Sequence, residues 1–436
     1  MIQPMLRPLI FGLALATLAA GGAGAQPTPP PAPPDPQAQP PLPPPPSAAP
    51  LPAPANQGVQ VVGLAAPDAF TTPGRDTGLP PTLWTGASVK TVRAVLPLVA
   101  ARPLTPAGAQ LARRVLATGA VGPEGARQDP GLAAARAEAL LMQGDAKAAA
   151  AVLAHAPGAD RNAELAQAVA EADLLAGDDA GACNTARALT DGRDEPYWLK
   201  LRTYCQVIAG QNAQAQLTFE LANAQAKDPV FARLMGAKIA GAGNPGAASA
   251  RNGLDVALSR SLGLDLAAAK PAPAVAAALA GPTDPAPLTF DPTAVAPDLA
   301  VLAEPLARGE AIRDAVLAAL IETEATADPK SRGRAQAGLL IAAAMSGPFG
   351  PELRGQIAAL PTAEGKAPVG RAMALEAAGQ QHLMGEAAML SLWILADAGP
   401  AGPAIGDRVR IVRALHLAGL DADARAIAFE GLQGLK

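Results

Sequence analysis

The chain has 436 residues and a formal net charge of −4 at pH 7, a length that suits one extended or two compact domains. Half of its residues are hydrophobic but only 3% are aromatic, and alanine dominates, so the composition favours close-packed helices over sheets. The small negative charge and the lack of a basic run argue against binding to nucleic acid or to an anionic membrane surface.

Residues 1–25 have the pattern of a secretory signal peptide. Arg7 supplies the positive end, residues 9–20 the apolar core, and residues 23–25 (Ala-Gly-Ala) the cleavage site. The alternative is an uncleaved membrane anchor, but the apolar run is short for a helix that spans a bilayer. We therefore predict a periplasmic or secreted protein of a Gram-negative envelope, with no membrane span after signal cleavage.

Residues 26–78 are predicted to form a disordered proline-rich linker. More than half of residues 27–54 are proline, a density that excludes helix and sheet and favours extended polyproline II. The segment is therefore predicted to be a semi-rigid spacer. The alternative is a ligand for a proline-binding domain, which the absence of flanking arginine or lysine disfavours.

Residues 79–270 are predicted to form a first helical block, because a short phrase returns within it at a constant interval. Glycines 144, 177, 210 and 243 are 33 residues apart, and an alanine follows each of the first three by five residues. Such a period is typical of stacked helix-turn-helix units, in which each hairpin buries its apolar face against its neighbours.

Prolines open two of these units. Pro196 and Pro229 are also 33 residues apart, and each follows an acidic residue, which suits the first turn of a helix. The glycine-polar turn, the alanine at a fixed offset and the proline that opens the next unit together resemble a divergent tetratricopeptide-like (or Sel1-like) repeat over residues 129–243. The resemblance implies a superhelical protein-interaction surface without catalysis.

The resemblance also implies where a partner would bind. Long polar side chains on the first helix of each unit commonly line the concave groove of such repeats. By this criterion Lys200, Arg202, Gln206 and Arg233 are the candidate partner-binding residues.

The two cysteines, Cys183 and Cys205, lie at equal distances from residue 194 on either side of a predicted inter-helix turn. Antiparallel helices bring such positions side by side, and an exported protein meets an oxidising compartment. We therefore predict a structural disulfide. Two buried thiols and a redox-active pair are the alternatives, and the latter is disfavoured because the spacing is far from CxxC.

Seven prolines between residues 271 and 297 predict a connector, because helices do not run through that density of proline. A second helical-repeat block follows at residues 298–436, where Gly385 and Gly419 lie 34 residues apart after similar phrases. The predicted fold is thus all-α, a helical-hairpin repeat (α-solenoid) in two blocks. Outside the array, helices are predicted at 88–99, 107–116, 132–143, 253–270, 275–279, 299–306, 311–323, 334–345, 351–360, 370–379, 386–396, 405–417 and 423–432.

No catalytic, cofactor or metal constellation is recognised in the sequence. Residues 241–246 match the letters G-x-G-x-x-G, but a helix is predicted before them where the motif needs a strand, so we interpret them as a loop. His382 and His416 each precede a predicted turn glycine by three residues, which favours repeat structure over a site. No HExxH, GxSxG or paired metal-ligand spacing occurs.

The leading hypothesis is a periplasmic helical-repeat scaffold that binds protein partners in cell-envelope biogenesis or in an envelope machine. It is expected to have no enzymatic activity and no cofactor. The alternative is a cell-wall-associated accessory subunit, or a non-catalytic relative of a peptidoglycan enzyme, with peptidoglycan as the partner. Retention on isolated peptidoglycan sacculi distinguishes the two hypotheses.

Overall fold

The computed structural model describes residues 68–129, 131–241, 243–282, 291, 293–324, 327–361 and 364–435. The predicted signal peptide and linker residues 26–67 lie outside these ranges. Within them the chain is all-α, as predicted, with nineteen α-helices and no strand. None of these helices is long and apolar enough to cross a membrane.

The helices alternate with short turns along the described chain. They are α1 (Val89–Ala101), α2 (Pro106–Ala117), α3 (Gly131–Met142), α4 (Ala146–Leu153), α5 (Ala163–Ala176), α6 (Asp179–Ala188), α7 (Pro196–Ile208), α8 (Asn212–Gln225), α9 (Pro229–Ala240), α10 (Gly253–Ser261), α11 (Pro273–Ala280), α12 (Ala300–Arg308), α13 (Asp314–Glu324), α14 (Pro329–Ala343), α15 (Pro351–Ala358), α16 (Val369–Gln380), α17 (Met384–Ala398), α18 (Ile405–Leu417) and α19 (Asp421–Gln433).

Three pairs of successive helices correspond to the 33-residue period: α3 with α4, α5 with α6, and α7 with α8. The helices of each pair pack together. The connecting glycine has a positive φ in every case, 84° at Gly144, 87° at Gly177 and 73° at Gly210. A side chain with a Cβ is strained in that conformation, so glycine is the residue that ends the first helix of each pair.

The chain departs from the predicted period after α9. This helix ends at Gly241, which has a φ of 62°, two residues before the glycine expected from the repeat. The chain then folds back, so that α10 packs on α5, and α11 packs on α3 and α5. Leu254 and Leu258 of α10 join the same hydrophobic cluster as Ala166 and Ala170 of α5. A later segment of the chain therefore covers part of the first helices of the array.

Two hydrophobic clusters form most of the core. The larger one includes side chains from both ends of the described region, such as Leu96 in α1, Leu116 in α2 and Leu395 in α17. The smaller one surrounds Trp198 and Tyr204 in α7. The described residues belong to one compact unit. The predicted block boundaries stay a prediction.

Carboxylates late in the chain cap helices early in the chain. Glu386 accepts hydrogen bonds from the Ser88 amide and the Thr91 hydroxyl at the start of α1, both at 2.8 Å. Glu430 accepts one from the Ala107 amide at the start of α2, at 2.9 Å. Helix N-termini carry unpaired amides and partial positive charge, so these contacts join segments that are far apart in sequence.

A buried arginine holds the first described residues against the helices. Arg136 of α3 donates to the carbonyl oxygens of Leu116 (2.6 Å), Ala69 (2.9 Å) and Thr118 (2.9 Å). Burial lowers the pKa of Arg136 to about 9, and Asp68 opposes that shift. The guanidinium therefore stays charged at neutral pH and satisfies three backbone acceptors at once.

The turn before α17 lies three residues earlier than the sequence predicts. His382 adopts the left-handed conformation of this turn, with a φ of 55°. Because α17 begins at Met384, Gly385 lies inside the helix. A Cβ on Gly385 would lie 2.6 Å from the Leu83 carbonyl oxygen, so close packing explains this glycine. His416 lies inside α18. The predicted equivalence of the two histidines is therefore wrong.

Candidate functional site

The predicted disulfide is present. It joins Cys183 of α6 to Cys205 of α7, whose Cα atoms lie 5.6 Å apart. Cys183 is buried and Cys205 is partly exposed, so the bond lies near the surface at the junction of two successive helix pairs. A crosslink at this position fixes the spacing of α6 and α7.

A groove of about 490 Å³ lies beside the disulfide, between α6 and α7. We call it the α6–α7 groove. Both cysteines line it, and polar and apolar side chains from α6, α7 and the loop between them complete its walls. The larger side chains that line it include Arg187, Arg193, Arg202, Gln206 and Ile208.

The backbone of the groove holds two of its arginines in place. Arg187 lies one turn after Cys183, and its Nε donates to the Cys183 carbonyl oxygen at 3.3 Å. Nε of Arg202 donates to the Trp198 carbonyl oxygen at 3.3 Å, and its Nη2 donates to the Arg193 carbonyl oxygen. These bonds satisfy part of each guanidinium and leave other N–H groups available to a ligand.

The three arginines have no carboxylate partner in the part of the chain that the structure describes. The distance from each of the three guanidiniums to every carboxylate oxygen of the described residues exceeds 4.0 Å, the limit for an ion pair. Burial lowers the pKa of Arg202, the charge on Arg193 lowers it further, and Asp194 raises it. Arg202 is nonetheless a cation at neutral pH. A bound anion would therefore stabilise this cluster.

Gln206 and Ile208 add two different features to the groove. The Oε1 atom of Gln206 is buried and has no hydrogen-bond donor among the described residues. A buried acceptor without a donor costs about 1–3 kcal/mol, but because this atom is buried, a ligand in the groove does not reach it. Ile208 is 44% exposed and offers an apolar contact beside the charged ones.

The four residues predicted to bind a partner do not share one site. Arg202 and Gln206 line the α6–α7 groove. Lys200 points to the start of α9, where it pairs at 2.9 Å with the carboxylate that caps that helix. Arg233 donates at 2.8 Å to the Ala247 carbonyl oxygen, in the segment that leads back to α10. The last two side chains therefore bind the protein's own chain.

Sequence reasoning missed Arg187 and Arg193. The repeat resemblance points to the first helix of each unit, whereas these arginines lie on a second helix and in a loop. A usable signal was present for Arg187, because it lies one helical turn after Cys183. Once the disulfide is predicted, that spacing places Arg187 beside it, whereas the loop position of Arg193 carries no such signal.

A second groove, of about 550 Å³, lies between α16 and α18. Its two arginines are already engaged: Arg410 pairs with Glu376 at 3.5 Å, and Arg413 donates to the Ser346 carbonyl oxygen at 2.6 Å. His382 lines the same groove, and its Nδ1 lies 2.6 Å from the Leu417 carbonyl oxygen. Its polar groups are thus less available to a ligand than those of the α6–α7 groove.

Carboxyl groups also cluster where α5 meets α6. Burial, and then the charge on Asp178, raise the pKa of Asp173 to about 7. Burial also raises the pKa of Glu171, which accepts a hydrogen bond from the Gly253 amide at the start of α10. Among the residues described, no group of three or more His, Cys, Asp or Glu is placed to hold a metal ion. Glu171 therefore serves to attach α10 to α5.

No protein-family model, curated protein or solved structure matches the chain. Function is therefore inferred from the residues of the groove themselves.

Proposed function

We propose that the protein is a helical-repeat scaffold of the cell envelope that binds a protein partner through the α6–α7 groove. One observation carries the proposal: three arginines that have no carboxylate partner among the described residues meet in a groove whose two helices are joined by a disulfide. Fixed cations of this kind are typical of recognition surfaces, because little conformational freedom is lost when an anion binds.

The helix pairs support the repeat part of the proposal. Three pairs joined by positive-φ glycines recur at the spacing of a tetratricopeptide-like array, and Pro196 and Pro229 occupy the first turns of α7 and α9. Stacked pairs of this type would form a solenoid with an extended binding surface. Because α10 and α11 cover part of the first helices, we assign binding to the junction of successive pairs.

The proposed compartment is the periplasm or the exterior of the cell. A disulfide persists in oxidising compartments and is rare in reducing ones. The predicted signal peptide would deliver the chain there, and the proline-rich segment would then act as a spacer. The biological role would be to hold an envelope protein at a distance set by that spacer.

Photocrosslinking in living cells tests the proposal. A photoreactive residue replaces the exposed Ala209, which lines the groove, and the control position is Val301 in α12, which is 47% exposed. We expect a protein-sized adduct at position 209 alone, and its loss when R187E and R202E are added.

Two other outcomes have a clear meaning. Equal adducts at both positions, or an adduct that survives both charge reversals, would contradict the proposal. An adduct that shrinks on digestion of the cell wall would support the peptidoglycan-associated alternative.

A further inference from the structure

We propose that the segment bound in the α6–α7 groove is a short, extended, acidic stretch of polypeptide. Its carboxylates would pair with Arg187, Arg193 and Arg202, and an apolar side chain would contact Ile208. This inference rests on the proposed function and defines the chemistry of its ligand.

The first step concerns charge. The three guanidiniums belong to α6, to α7 and to the loop between them, so they surround the groove. That loop also carries Asp191, Asp194 and Glu195, yet none of these pairs with a groove arginine within the described residues. Ligand carboxylates would therefore form bidentate pairs that no described residue of the protein makes.

The second step separates a peptide from other polyanions. Ile208 is 44% exposed and offers an apolar contact beside the three guanidiniums. An inorganic polyphosphate consists of charged groups alone and would leave that contact empty, whereas a polypeptide places apolar side chains next to its carboxylates. Ile208 therefore favours a peptide that alternates acidic and apolar side chains.

The third step concerns size and rigidity. A groove of about 490 Å³ lies within the range that holds a small ligand, so it accommodates a few residues of an extended segment. Two of the arginines already donate to backbone carbonyls, and the disulfide fixes the helices that carry them. The site is therefore largely formed before the ligand arrives, which favours binding.

Fluorescence anisotropy with labelled peptides tests the inference on the full-length oxidised protein. The probe is a peptide of alternating glutamate and leucine, and the matched peptides replace each glutamate by glutamine or by lysine. We expect only the acidic peptide to bind. R187Q combined with R202Q should weaken binding by about tenfold or more.

A matched control keeps the result interpretable. R354Q removes an exposed arginine of α15, outside the groove, and should leave binding unchanged, while circular dichroism shows whether each variant is folded. Equal binding of the glutamine peptide, or no effect of R187Q with R202Q, would overturn the inference. If position 209 still crosslinks to a protein while the acidic peptide does not bind, this inference fails and the proposed function stands.

Discussion

Removal of the disulfide is expected to destabilise one part of the molecule more than the rest. The bond closes a segment of 22 residues, and in the chain-entropy description a crosslink over that length stabilises the folded state by about 3 kcal/mol. The variant C183A/C205S suits the two environments, because Cys183 is buried and Cys205 is partly exposed. Alanine avoids a buried hydroxyl at the first position.

The effect should be confined to the helices around the crosslink. The disulfide joins α6 to α7, whose buried alanines and large side chains respectively belong to the smaller hydrophobic cluster, while α1 and α17 belong to the larger one. A loss of 3 kcal/mol corresponds to about a hundredfold faster exchange of amides that open with this region. Hydrogen exchange measured by mass spectrometry should therefore accelerate in α6 to α8 and stay constant in α1 and α17.

Wild-type protein treated with a dithiol reductant is the matched control, and it should give the same exchange pattern as C183A/C205S. Unchanged exchange in α6 to α8 would show that the disulfide stabilises nothing there. A uniform increase along the chain would show that the two clusters unfold as one unit. Either result would refute the expected local effect.

Three further substitutions test other contacts. D173N should stabilise the protein by about 1–2 kcal/mol near pH 8 and not near pH 4. The Asp173 carboxyl has a pKa of about 7 in the folded state and 3.8 in the unfolded state, so its charge destabilises the fold increasingly as the pH rises between these values. The full pKa difference corresponds to about 4 kcal/mol, which partial exposure of the carboxyl reduces. Equal effects at both pH values in urea unfolding would contradict this account. E386A should lower the free energy of unfolding by about 2 kcal/mol in the same assay, because the Ser88 amide and the Thr91 hydroxyl lose their acceptor, and E386Q should cost less. G379A should destabilise the protein because its Cβ would lie 2.8 Å from Cα of Ala414. G370A in the same helix should be neutral or stabilising by up to about 1 kcal/mol, because its Cβ would have no described neighbour within 4 Å. A stability change of the same sign for both would rule out the packing explanation.

Local rules explain why much of the array was predictable. Gly144, Gly177 and Gly210 are identified by period, and each has the positive φ that only glycine adopts without strain. The two cysteines are predicted to pair because both lie the same distance from one turn. Each of these features is determined by the turn or the helix pair in which it lies, so a local pattern in the sequence reveals it.

Contacts between distant segments explain what the sequence did not reveal. Leu254 and Leu258 give α10 an ordinary apolar face, and nothing in that pattern indicates that the face packs on α5. Gly385 follows a phrase typical of a turn, yet packing is the reason for this glycine, because a Cβ there would lie 2.6 Å from the Leu83 carbonyl oxygen. Local patterns report which face of a helix is apolar, and tertiary packing decides which helix that face meets.

The candidate site was predictable only in part for the same reason. Arg202 and Gln206 were identified through the repeat resemblance and do line the groove. Lys200 lies on the same helix, but its ammonium group forms an ion pair with the carboxylate that caps α9. Arg233 donates a hydrogen bond to a carbonyl oxygen in the segment that leads back to α10. Whether a surface cation can bind a ligand therefore depends on which segments, from later in the sequence, pack beside it.

Rigidity and charge make separable contributions to the proposed binding site. The disulfide and the bond from Arg202 to the Arg193 carbonyl fix where the cations lie, whereas the guanidiniums provide the attraction. Loss of an arginine removes an ion pair, so its effect should diminish at high salt. Loss of the disulfide leaves every charge in place and makes the ligand order the groove as it binds, so its effect should persist at high salt. A groove that lost affinity equally in both variants at every salt concentration would not use its arginines as the proposal requires.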